Sequence, residues 1–172
     1  MIDNKIISLW SSREKNFQRS DFSSGAHNNQ LIEKLKDKIE FLSICEYIKF
    51  NKDMSVLDIG AGGGRWEKHI APKVGSIVAL EPSSIFDVLI ERTSCHHNVQ
   101  CINCSFEDYQ PKELFDTIII SGVLMYQPNE KEIYSFLCKA CQFLKENGYL
   151  IVREHMFHKK TYFYDHKYYH DY

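Results

Sequence analysis

Residues 56–66 read VLDIGAGGGRW, a buried-looking strand that breaks into four glycines within five residues. Glycine loses more conformational freedom on folding than any other residue, so such a cluster implies backbone at positive φ or a body lying against the main chain. Val56 to Ile59 forms the strand, and RWEKHIA, stopped by Pro72, forms a short helix beyond the glycines. A strand, a glycine turn and a helix in that order belong to a parallel sheet that binds its ligand at the carboxyl end of its strands.

The rest of the chain repeats the alternation. SIVALE, VQCINC, FDTIIIS and GYLIVRE are continuous apolar runs rich in β-branched residues, the pattern of strands covered on both faces. Helices are expected between them. Gln30 to Phe50 carries Leu31, Leu35, Ile39, Leu42, Cys45 and Ile48 at helical spacing. SSIFDVLIERTS is a helix for which Ser83 can serve as N-cap. NEKEIYSFLCKACQFLKENG has Asn129 as cap, an apolar face of Ile133, Phe136, Leu137, Ala140 and Leu144, and Gly148 as terminator. The expected class is α/β: a doubly wound, mostly parallel sheet with a shortened C-terminal end. Residues 1–28 read as a polar segment or lid, 29–155 as the core and 156–172 as an aromatic, His-rich tail.

With 172 residues a single core is the natural expectation. A net charge of -2 gives no electrostatic case for nucleic acid or an anionic membrane. No secretory leader and no apolar run of about 18 residues is visible, so the six cysteines read as reduced thiols of a cytoplasmic protein. CINC and CKAC place thiols three apart, but Cys101 and Cys104 lie on or just after a strand, where that spacing faces opposite sides. Cys138 and Cys141 share a helix face expected to be buried, and no metal is expected. Arg13, Lys15 and Arg19 read as a solvated charged face.

Gly60, Gly62 and Gly64 give G-x-G-x-G, and Glu81 closes the second strand 23 residues after Asp58. A carboxylate there is placed to accept both hydroxyl protons of a ribose. A nicotinamide dinucleotide fits poorly, because its fingerprint needs a small residue where Arg65 stands. Asp58 beside the glycines also repels a pyrophosphate and favours a cationic ligand.

VLDIGAGGGRW, VALEPS, CSFEDY, FDTIIISGVLMY and LKENGYLIVRE together resemble the ordered motifs of the class I S-adenosylmethionine-dependent methyltransferases, over about residues 30–155. The resemblance implies that Asp58 and the backbone at Gly60, Ala61 and Gly62 hold the methionine moiety of S-adenosylmethionine. It implies that Glu81 takes the ribose hydroxyls and that Pro82 or Ser83 borders the adenine. Where the family usually has an acid, this chain has Ser105, so the adenine amino contact falls to Ser105 or Glu107. Phe106 would stack on the ring or offer its N–H, and Ser121 and Gly122 would close the methionine side.

His155 and Tyr126 are the candidate catalytic residues, as base and as acceptor-orienting group. The strand-four sequence SGVLMY lacks the Asn/Asp-Pro-Pro-aromatic signature of enzymes acting on DNA bases. An oxygen or nitrogen of a small-molecule or carbohydrate-like acceptor is therefore expected. The family's sheet normally continues with another helix and an antiparallel hairpin, whereas the tail here is expected to make one strand at most. Self-association through the open sheet edge or the tail follows as an expectation. So does the alternative of a non-catalytic cofactor-binding domain that needs a partner or a missing C-terminal region.

Overall fold

The computed structural model describes residues 30–154, with side chains from Lys34, and the backbone of 162–164 and 167–169. Five parallel strands form the sheet: β1 (Ser55–Ile59), β2 (Ser76–Leu80), β3 (Val99–Ile102), β4 (Phe115–Ser121) and β5 (Leu144–Arg153), in the order β3-β2-β1-β4-β5. Between them run α2 (Glu67–Ile70), α3 (Phe86–Thr93), a 3-10 turn (Leu124–Tyr126) and α4 (Glu130–Gln142), with α1 (Gln30–Tyr47) leading in.

Side chains alternate across the strands, which puts a core on each face. Leu57, Ile59, Ile118 and Ile120 pack with Phe136 and Ala140 of α4. Val56 and Ile119 point the other way, onto Phe41 of α1, Trp66 and Ile70. Strand order changes direction at β1, so the ends of β1, β2 and β4 meet at one point of the carboxyl edge.

Asn129 caps α4 as expected, its Oδ1 accepting the Glu132 N–H at 3.0 Å. The other end of α4 differs from expectation. The helix stops at Gln142, and Leu144 pairs with Phe115 as the first residue of β5 rather than lying on the helix face. Pairing then jumps to Tyr149 opposite Thr117. Asn147, at φ 61, supplies the left-handed turn between those points, so Gly148 terminates no helix. A Cβ on Gly148 would meet main-chain oxygens of Lys145 and Asp116 at 3.0 and 3.2 Å. Close backbone approach explains that glycine.

The apolar spacing of the first helical segment holds at its C-terminal end, where Cys45 and Ile48 lie inward, and misleads before it. Leu35, Ile39 and Leu42 are 58%, 55% and 53% exposed, while Asp37 and Phe41 are buried. Ion pairing sets the helix rotation. Asp37 accepts from Arg65 at 2.7 Å and from Lys68 at 2.8 Å, and Glu40 pairs with Arg65 and Arg153. Those cations hold the Asp37 carboxyl below its usual pKa against the opposing effect of burial. Arg65, read above as an obstacle to close packing, swings away from the turn to make this latch and lies over Trp66.

Ser83 is not the N-cap residue of α3: that position is Ile85, and the Ser83 hydroxyl accepts the Ile85 N–H at 3.3 Å from two residues earlier. The α2 helix begins at Glu67, two residues later than expected. Cys141 is exposed and Cys138 half-buried, so the pair does not lie on a buried face. Among the described residues no three His, Cys, Asp or Glu side chains gather to hold a metal. Nor is any described helix long and apolar enough to cross a membrane. The tail makes two strands rather than one: β6 (Tyr162–Tyr164) and β7 (Lys167–Tyr169) pair antiparallel with each other, apart from the main sheet, and β7 lies against the 3-10 turn.

Candidate functional site

The glycine turn takes the conformation its sequence requires. Gly60, Gly62 and Gly64 have φ of 75°, 56° and 81°, all in the region that favours glycine. The N–H groups of Gly60 and Ala61 both donate to the Leu80 carbonyl at 2.9 Å, tying the turn to the end of β2. A Cβ on Gly60 would strike Val123 Cγ2 at 2.6 Å, whereas one on Gly62 would meet nothing within 4 Å. Gly60 is thus wedged against the loop after β4, and Gly62 presents bare backbone to open space.

Glu81 crosses this turn. Its Oε2 accepts the Gly62 N–H at 2.8 Å, and its Oε1 accepts the Ser83 N–H at 3.0 Å and hydroxyl at 2.6 Å. Three of the roughly four lone-pair positions of the carboxylate are used. Asp58, on β1, is buried and, among the described residues, accepts no hydrogen bond at either oxygen. Its face of β1 is that of Val56, toward α2, where Glu67 is equally buried and equally unpartnered. Burial, then the Glu67 charge, raises the Asp58 pKa well above its ordinary value. Burial lifts Glu67 to about 7; the main-chain N–H groups of Glu67 itself and Trp66 ease it electrostatically without meeting hydrogen-bond geometry.

Glu67 escaped the sequence reading because a glutamate in RWEKHIA resembles any solvated helix residue. Its folded pKa lies above the unfolded value, so the folded state binds the extra proton and loses stability as pH rises from about 4.5 through 7. Glu67→Gln is therefore expected to raise the melting temperature of the ligand-free protein at pH 8, by about 2 kcal/mol of stability, and to change it little at pH 5. Thermal denaturation at the two pH values measures the difference.

On the far side, Ser105 is occupied locally. Its hydroxyl donates to Asp108 at 2.8 Å and accepts the Asp108 N–H at 3.3 Å. Glu107, by contrast, has a buried Oε2 with no partner among the described residues. The Phe106 ring lies in the core, 4.6 Å from Phe136 and 5.6 Å from Phe143, which removes it from stacking on a ligand and leaves only its main chain. Pro82 is half-buried and Ser83 buried beside Glu81.

Ser121 ends β4 opposite Arg153, and Gly122, at φ 70, donates its N–H to the Arg153 carbonyl at 2.9 Å. Tyr126 is buried in the 3-10 turn that follows. Glu154 fixes that turn: its Oε1 accepts the N–H groups of Val123 and Leu124 at 2.7 and 2.8 Å. Burial raises its pKa against those bonds. Neither the turn nor its anchor was legible in the sequence. Glu154→Ala leaves two donors unpaired and should cost about 2 kcal/mol, or roughly 4–8 °C of melting temperature, with Glu154→Gln recovering most of it. His155 lies outside the described residues, as do Arg13, Lys15 and Arg19.

The structure thus gathers Asp58, the glycine turn, Glu81, Ser121 and Gly122 at one point and sets Glu107 beyond β3. A buried unpaired carboxyl, open backbone at Gly62 and a ribose-spaced carboxylate fit a cationic nucleoside.

Comparisons with known proteins agree with this arrangement. A methyltransferase-domain family matches residues 26–170. A methyltransferase of Alkaliphilus oremlandii is 23% identical over 159 residues, covering 92% of this chain and 70% of its own length. Phosphoethanolamine N-methyltransferase 3 of Arabidopsis thaliana is 29% identical over 127 residues, 72% of this chain and 26% of that protein. The crystal structure of Haemonchus contortus phosphoethanolamine N-methyltransferase 1, in complex with phosphoethanolamine and S-adenosylhomocysteine, superposes with a TM-score of 0.79 at 19% identity. The match covers 97% of this chain and 37% of that one, and at this identity it shows the fold.

Proposed function

The chain belongs to the methyltransferase-domain family, and on that premise we propose that it is a cytoplasmic enzyme moving a methyl group from S-adenosylmethionine to an oxygen or nitrogen of a small-molecule or carbohydrate-like acceptor. The observation that carries the cofactor half is the buried, unpaired Asp58 below bare backbone at Gly62. An ammonium offers the charge Asp58 lacks, and Gly60, Ala61 and Gly62 border the same methionine moiety. Glu81 accepts from the ribose. Its spare lone pair takes one hydroxyl, and the Ser83 O–H, free to rotate, yields its place to the second. Pro82 and Ser83 flank the adenine, and Glu107 accepts from its amino group in place of Ser105, with the Phe106 N–H alongside. Ser121 and Gly122 close the methionine end.

Bound S-adenosylmethionine supplies a methyl group on a good sulfonium leaving group. The protein's task is then to align an acceptor and exclude water. Tyr126, held by the Glu154-anchored turn, orients the acceptor. His155 takes a proton where the acceptor is a hydroxyl or an ammonium. The names of the phosphoethanolamine relatives support a small acceptor, and a nitrogen among its two options. A homodimer through the β5 edge, where Tyr149 and Val152 are exposed, belongs to the same reading.

A second reading, a non-catalytic binding domain that works with a partner or further chain, is favoured by the sheet ending at β5 among the described residues. Incubation with methyl-labelled S-adenosylmethionine and a panel of phosphoethanolamine, other small amines and sugars separates the two. Label transferred to one of them supports the enzyme. Tight cofactor binding with no transfer to the panel or to a cell extract supports the binding domain.

A further inference from the structure

Two carboxyls that face each other, both buried and both without a donor among the described residues, need an explanation that core packing does not give. Asp58 comes from β1 and Glu67 from α2, and they lie close enough to share a hydrogen bond once one of them carries a proton. Removing two ionised carboxylates from water and setting them side by side is costly, so such a pair keeps one proton between its members. Among the described residues nothing near them supplies a neutralising contact. Glu81 adds negative potential from the end of β2, Cys101 of β3 senses the Glu67 charge, and Arg65 reaches Asp58 only through space while its hydrogen bonds go to α1. Arg92 of α3 donates to the Gly63 carbonyl on the outer side of the turn. Among the described residues no third ligand joins the pair to make a metal site. An organic cation remains as the complementary charge.

We propose that Asp58 and Glu67 hold one proton between them in the free protein and release it to solvent when the cofactor's ammonium arrives, so that cofactor binding is coupled to proton release. The inference rests on the S-adenosylmethionine reading of the same turn. The step balances: one carboxyl O–H bond breaks, its proton goes to buffer, and the pair passes from one negative charge to two as a cation docks against it. Glu67 is thereby a positioning residue that sets the charge Asp58 presents.

Calorimetric titration with S-adenosylhomocysteine at pH 7.5, above the Glu67 value of about 7 so that the pair holds one proton, and where the ligand's amine is still mostly protonated, reads the proton directly. Observed enthalpy is plotted against the ionisation enthalpy of several buffers. The expected slope for the unaltered chain is close to one proton released per ligand bound. For Glu67→Gln, which cannot release that proton, a slope near zero is expected. Affinity of the unaltered chain should tighten by more than about tenfold between pH 5.5 and 8.0 and stay flat in the variant. Glu67→Asp, which keeps the acid, should retain the release, and it serves with the unaltered chain if Glu67→Gln does not fold. Binding with no buffer dependence, or with the same slope in Glu67→Gln, overturns the inference and leaves the cofactor reading standing. No binding heat in any buffer overturns the cofactor reading and this inference with it.

Discussion

Glu81→Ala is expected to weaken S-adenosylhomocysteine binding on the order of a hundredfold while the protein stays folded. Glu81 is the acceptor at the end of β2 that reaches both the glycine turn and the place proposed for the ribose. Hydrogen bonds to a charged group contribute about 1.5–3 kcal/mol each, and two lost ribose bonds amount to about 3 kcal/mol at the low end. Each 1.4 kcal/mol is about tenfold in affinity. Glu81→Gln should fall between, since the amide keeps one acceptor oxygen. The substitution also releases the Gly62 and Ser83 N–H groups; the part-buried Gly62 N–H can take a water, while the buried Ser83 N–H loses its acceptor at about 1–3 kcal/mol of stability. Titration calorimetry of the three proteins, with NAD as a control ligand that gives no heat, measures the effect.

Gly60→Ala should be strongly destabilising. Two penalties add at that position. A non-glycine residue at φ 75° costs about 1–2 kcal/mol, and its Cβ lands 2.6 Å from Val123 Cγ2. Valine is stiff about χ1, so relief requires the loop after β4 to move, at about 1–3 kcal/mol. A loss of about 3 kcal/mol lowers the melting temperature by roughly 6–12 °C for a chain of this size. Gly62→Ala is the informative contrast. Its Cβ meets nothing, so only backbone strain remains, about 1 kcal/mol. The same Cβ projects where the cofactor is proposed to lie, and the expected result is near-normal stability with impaired cofactor binding. One glycine is needed by the fold and the other by the ligand, and paired melts and titrations distinguish them.

How much of this could be read in the sequence depended on what held each element in place. The strands were legible because each is buried on two faces, and apolar, β-branched runs of that kind have few alternatives. Asp58, Gly60, Gly62 and Glu81 were legible because strand ends fix their neighbours once the sheet is parallel. Helix α1 was misread for the opposite reason: its rotation follows ion pairs from Asp37 and Glu40 to Arg65, Lys68 and Arg153, which lie far off in sequence. The apolar stripe of Leu35, Ile39 and Leu42 yields to them and faces outward. The end of α4 was misplaced because KENG satisfies the rules for a helix terminus, while the actual stop is set by Leu144 pairing with Phe115. Glu67 and Glu154 were invisible because a buried carboxyl has the same letter as an exposed one. Only a partner, or the lack of one, distinguishes them.

The central claim is that the turn after β1 seats a sulfonium nucleoside whose sugar rests on the acid closing β2. A crystal structure of the protein with S-adenosylhomocysteine tests it most directly. The expected result places the ribose hydroxyls on Glu81, with Ser83 Oγ turned aside, the main chain of Gly62 against the ligand, and the amino group directed to Asp58 and Glu67. A ligand seated elsewhere, or a turn that stays closed by Glu81 and admits nothing at saturating ligand, would contradict it.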